Sequence, residues 1–220
     1  MTNDMIKDYE HLPLGKYEQI LALRDDADNS LAIVGILSGL TEDALLHLPL
    51  HEYAELRDAA AFLFYQPDAA ELRKEYKVGA FTLIPTEPKD ITTAQYIDFK
   101  EWCKADGDTA ALLTCLLVPK GAKDYNEGYD WEAVRDALNE ELPVTEAVTL
   151  RNFFTARLVE LMNDSLTSSL KMASKLTDKE QRKKMRKEIR EMRSLISGVG
   201  CGKWMRLQSC AAALGPMFTD

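Results

Sequence analysis

The 220-residue chain is poor in the residue types that carry most enzyme chemistry. Histidine occurs at His11, His47 and His51 alone, and cysteine at Cys103, Cys115, Cys201 and Cys210, with no CxxC pair among them. That spacing excludes a zinc ribbon or a thioredoxin-type redox motif. A chain of this length buries a core without disulfide staples, so reduced thiols are expected. Long apolar runs are missing too: stretches such as Ala59 to Tyr65 fall far short of the roughly 18 residues of a membrane-spanning helix. The N-terminal MTNDMIKDYEHL carries acids where a secretory signal has a basic segment and then an apolar one, which points to the cytosol. Excess positive charge is also lacking. The 27 Lys and Arg stand against 36 Asp and Glu, a formal net charge of -9, and such a field repels phosphate backbones, arguing against nucleic acid as the partner of the whole chain.

What is present is foldable. Apolar residues make up 46% and charged residues 29%, with three Trp, eight Tyr and seven Phe, the composition of a folded protein rather than a disordered one. Apolar residues recur mostly at three and four, so the expected class is mainly α: a single helical domain with a minor β-hairpin or ribbon. Tyr17, Ile20, Leu21 and Leu23 share a face between Leu14 and Arg24. Ser30 opens LAIVGILSGL, which Gly39 closes as a C-terminal cap, and Thr41 caps EDALLHL. A helix from Leu50 carries the stripe Tyr53, Leu56, Ala60, Leu63 and Phe64 and stops before Pro67.

The β-prone segment Lys77 to Pro85 reads as one strand, with a partner expected near Tyr9 to Leu14 or around Ile91. Thr92 or Thr93 caps AQYIDFKEWCKA, and Asp108 caps TAALLTCLLV, a helix running to Pro119. Residues Lys120 to Asp130 form a loop, after which Asp130 caps WEAVRDALNEEL. A long helix follows from Thr145, with Leu150, Phe153, Phe154, Leu158, Leu161 and Met162 apolar, reaching about Lys175. Thr177-Asp-Lys-Glu180 is a capping box that opens a second long helix. Residues 1–176 thus form a helical body, and 177–220 a basic helix and tail packed on the same domain.

Motifs that would mark a catalytic centre fail on inspection. Gly198-Val-Gly-Cys-Gly202-Lys203-Trp204 has Trp204 where a phosphate-binding loop needs a hydroxyl, and a basic helix where it needs a strand. His47 and His51 have the i, i+4 spacing of metal ligands, but Pro49 breaks the helix face between them. There is no GxSxG elbow, and no cysteine stands beside a plausible histidine base. No catalytic residue, metal or cofactor is therefore expected.

The one segregated charge feature is Lys179 to Arg193, with eight basic and three acidic residues. Met172, Leu176, Met185, Ile189, Met192 and Ile196 recur at helical spacing, while Arg182, Lys183, Arg186, Lys187 and Arg190 cover the remaining surface. Two roles fit that pattern: a solvated face complementing the acidic body, or a ridge that docks on an acidic partner or nucleic acid.

The stretch from Ile33 through Gly39-Leu40-Thr41, Leu45-Leu46-His47-Leu48-Pro49 and Tyr53 to Leu56 resembles a pattern in tail assembly chaperones of tailed bacteriophages. In these a helix ends, a capped acidic turn follows, and a Leu-rich helix with an acid-aromatic pair comes next. Ile91 to Phe99 and the loop Pro119 to Asp130 are similar to segments of proteins from phage structural gene clusters. The resemblance implies a non-enzymatic protein of the host cytoplasm that coats the tape-measure protein, or another tail protein, before the tail tube polymerises. The chain is longer than such chaperones and adds the basic Lys179 to Arg193 segment. Reversible cover of a long helix calls for a shallow apolar groove, which places Leu40, Leu45, Leu48, Tyr53 and Leu56 in or directly beneath it. Periodicity alone accommodates all five equally well as core. A virion or assembly component gripping an acidic partner or nucleic acid through the basic segment is the alternative.

Overall fold

Short polar side chains fix three helix starts. Thr41 Oγ1 accepts from the Ala44 amide at 3.2 Å, Asp108 Oδ1 from Ala111 at 3.2 Å, and Asp130 Oδ1 from Glu132 and Ala133 at 3.0 and 3.3 Å. Each satisfies amides that the first helical turn leaves without a partner. The structure, a computed structural model, describes residues 5–23, 29–104, 108–122, 125, 127–156 and 183. Among these the order is α1 (Leu14–Leu23), α2 (Ser30–Ser38), α3 (Glu42–Leu46), α4 (Leu50–Ala59) with a 3-10 turn (Ala60–Phe64), β1 (Tyr76–Val78) and β2 (Phe81–Pro85). A second 3-10 turn (Pro88–Asp90), α5 (Thr93–Lys104), α6 (Thr109–Thr114), β3 (Leu117–Pro119) and α7 (Trp131–Glu141) come next. Helix α8 covers residues 144–156. The fold is mainly α, with one antiparallel sheet in the order β1-β2-β3.

Several expected boundaries move. Lys77 to Pro85 is a hairpin rather than one strand: Val78 pairs with Phe81 and Tyr76 with Leu83 across a two-residue turn. Gly79 takes φ +56° there, which such tight turns require at a central position. Its second neighbour is β3, with Leu83 opposite Pro119 and Pro85 opposite Leu117, not the segment near Tyr9 or Ile91. Consequently the helix expected to reach Pro119 stops at Thr114, because pairing with β2 outcompetes one more helical turn. Ser30 is the first residue of α2 rather than its cap, which is Asn29. Thr145 lies inside α8, whose helical residues begin at 144. Gly39 does close α2, at φ +70° with its amide on the Gly35 carbonyl. Leu158, Leu161, Met162, the capping box at Thr177, the Gly198 to Trp204 stretch and the basic segment, Lys183 excepted, lie outside the described residues.

Two buried clusters make the core. One gathers Tyr76, Val78, Leu83, Leu113, Leu116, Val134 and Leu138 between the sheet, α6 and α7. The other gathers Met5, Tyr9, Leu12, Ile33, Leu37 and Leu63 around α2 and the first 3-10 turn. Helices α1 and α8 serve both: Leu14 belongs to the first cluster and Tyr17 and Ile20 to the second, while Ala147, Leu150 and Phe154 face the first and Val144 and Val148 the second. An isolated bridge between Pro13 and Pro143 joins the starts of these two helices, with the Leu14 amide on the Leu142 carbonyl at 2.9 Å and the Val144 amide on Leu12 at 3.0 Å. Among the described residues no helix is long and apolar enough to cross a membrane.

Candidate partner-binding surface

Helices α3 and α4 form a corner against α2. The Thr41 cap starts α3, and the Leu48 amide closes on the Leu45 carbonyl at 3.2 Å. Pro49 then turns the chain into α4, its carbonyl accepting from the Tyr53 amide at 3.1 Å. Leu45 faces inward and is buried; a methyl group added at Gly35 would meet its Cδ1 at 3.6 Å. Leu40, Leu48, Tyr53 and Leu56 are half-buried, and Leu56 leans on the second core cluster. Of the five expected residues, one is thus buried and four are partly exposed. Its most exposed apolar side chains are two others, Leu46 at 67% and Leu50 at 84%. Leu46 lies about 100° around the helix from inward-facing Leu45, and sequence reasoning passed over it because it falls off the inward stripe.

Of the basic ridge, Lys183 is helical and exposed; Arg182, Arg186, Lys187 and Arg190 lie outside the described residues. The two candidate metal-spacing histidines part company at Pro49. His47 ends α3 with Nδ1 2.7 Å from the Asp43 carbonyl oxygen, while His51 is an exposed residue of α4. Among the described residues no group of three or more His, Cys, Asp and Glu is placed to hold a metal ion.

Two polar sites elsewhere have chemistry worth weighing. Cys115 is buried, with its Sγ 3.6 Å from the Tyr125 hydroxyl, which in turn donates to Asp98 Oδ2 at 3.0 Å. Burial pushes the thiol up to about 11, outweighing the Tyr125 hydrogen bond, so at neutral pH it is a protonated thiol and a poor nucleophile. Burial also raises the Tyr125 phenol.

The second site is a cleft of about 330 Å³ between Glu10 and His11, the 68–73 loop and the start of α8. In its lining Arg73 Nη1 meets the largely buried Glu146 Oε1 at 2.6 Å. Burial raises the Glu146 carboxyl above its ordinary value, and the Arg73 charge opposes this incompletely. Since its folded pKa lies above the unfolded one, the favourable contribution is complete below the unfolded value of 4.5 and is lost as pH climbs through the folded value. Removing the cation deepens that loss. The Arg73→Met variant should therefore lose about 1 kcal/mol more stability at pH 7.5 than at pH 4.5, discounted from the cost of breaking a fully buried pair because Arg73 is mostly exposed. Urea denaturation at the two pH values measures this, and equal losses at both would assign the effect to lost side-chain contacts instead.

No protein-family model, curated protein or solved structure matches the chain.

Proposed function

We propose that this is a non-enzymatic, protein-binding protein of phage tail morphogenesis that chaperones the tape-measure protein during assembly. One observation carries the reading: the stretch from Ile33 to Leu56, which resembles tail assembly chaperones, ends in a corner that leaves Leu46 and Leu50 open to solvent. A chaperone that must release its client needs apolar contacts of this small, superficial kind, since a deep pocket would hold the client too long. Half-buried Leu48 and Tyr53 add further partly exposed apolar surface on the same two helices.

Co-expression with the tape-measure protein of a phage that encodes this chain tests the proposal. The expected result is a soluble complex that the Tyr53→Ala variant, with unchanged melting temperature, forms less well. A tape-measure protein that is equally soluble alone and never retained by this chain would sink it. Recovery of the chain in stoichiometric amounts from purified virions would favour the structural-component alternative.

A further inference from the structure

The exposed leucines lie on two helices whose exposed charged residues are almost all acidic. Glu42 and Asp43 lie one turn before Leu46 on α3, and Glu52, Glu55 and Asp58 are exposed along α4 beyond Leu50. Against these five acids residues 41–58 hold a single Lys or Arg, Arg57, which is already 3.4 Å from Asp58, and the histidines His47 and His51, the first 3.7 Å from Asp43. We infer that the α3–α4 corner binds an amphipathic helix whose apolar stripe is flanked by lysine and arginine.

The geometry narrows the occupant. An extended segment would need free main-chain groups to pair with, but the amides here are spent on local bonds, Leu45 to Thr41, Leu48 to Leu45 and Tyr53 to Pro49. A second copy docking through this same corner would bring five acids against five, a repulsive arrangement. Anionic membranes and nucleic acids meet the same repulsion. A helix offering Leu, Ile or Met at i, i+3 and i+7, with cations at its edges, satisfies both the leucines and their rim. The inference rests on the reading of this corner as a partner surface and deepens it by naming the partner's chemistry.

The test uses the full chain and three 20-residue peptides of leucine, alanine and one charged residue. The first has a leucine stripe with lysine flanks, the second is its scramble, and the third replaces lysine by glutamate. Only the first is expected to bind well, more weakly at high salt. The L46Q/L50Q variant should bind it at least tenfold more weakly with an unchanged melting temperature, and a Glu42→Gln, Asp43→Asn, Glu55→Gln variant severalfold more weakly. Equal binding of the scramble, or parental affinity in L46Q/L50Q, overturns the inference. Should that double variant unfold, Leu50→Gln alone carries the same comparison, its side chain being 84% exposed. The two readings fail separately. A tape-measure protein retained without regard to Leu46 and Leu50 would overturn this inference and leave tail assembly standing, whereas peptide recognition with no retained tape-measure protein would do the reverse.

Discussion

Replacing Gly15 by valine is expected to destabilise the protein by about 2 to 3 kcal/mol, lowering the melting temperature by roughly 5 to 10 °C. A Cβ at Gly15 would lie 2.9 Å from the Asn139 carbonyl oxygen and 3.2 Å from its Cβ. The obstacle is thus largely the backbone of α7, which cannot rotate away as a side chain would. In an open helix, glycine to alanine gains about 0.5 to 1 kcal/mol because glycine loses more chain entropy on folding. Here the sign reverses, since α1 and α7 can accept a methyl only by moving apart, and with them Leu14, Val134 and Leu138 of the first core cluster. Calorimetry on Gly15→Ala and Gly15→Val should show a graded loss. A stabilised alanine variant would mean that the two helices are not in this close approach.

Gln95→Leu is expected to cost about 2 to 3 kcal/mol despite keeping a similar volume and adding apolar surface. Gln95 is only 2% exposed, and its side chain joins three elements. Oε1 accepts from the Thr92 amide at 2.9 Å, while Nε2 donates to the Cys115 carbonyl at 3.1 Å and to Thr86 Oγ1 at 3.3 Å. With the Gln95 amide on Thr92 Oγ1 at 3.3 Å, this is a reciprocal capping box at the start of α5 whose glutamine is also bonded to the end of α6. Leucine strands a buried carbonyl and a helix-start amide together. Gln95→Glu supplies the sharper comparison: it keeps the acceptor for Thr92 but sets a carboxylate against the Cys115 carbonyl. It should be costly at pH 7.5 and recover toward pH 4, where protonation restores a donor. Loss that is independent of pH in Gln95→Glu would refute this account.

Features held by neighbours in sequence were readable in advance. Thr41, Asp108 and Asp130 cap by bonds to amides two or three residues ahead, and Gly39 needs only its own backbone angle, so no distant residue has a vote. Gln95 was half legible: the sequence offered Thr92 or Thr93 as the cap, the bond from the Gln95 amide selects Thr92, and the bonds to Thr86 and Cys115 depend on how α5 lies against α6. The third strand was hidden because Leu116-Leu117-Val118 continues the apolar rhythm of α6, and only pairing with Ile84 and Pro85 decides against another turn. At the α3–α4 corner, periodicity found the face that includes Leu45 and Leu56 and passed over Leu46 and Leu50. An apolar residue off the inward stripe differs from a core residue only once the neighbouring helices are in place.

Helix α8 has both of its sides committed. Every residue from 144 to 151 is buried, including Thr149, whose hydroxyl turns back to the Thr145 carbonyl at 2.8 Å, and Arg151, which holds Asn152 Oδ1 at 2.8 Å. A substitution that suits the sheet-side cluster rotates or lifts the helix under the other cluster, so each position answers to two environments at once. The two clusters are therefore expected to share one fate: opening either locally exposes the wall that the other depends on, so amide exchange in both should follow the same whole-body opening.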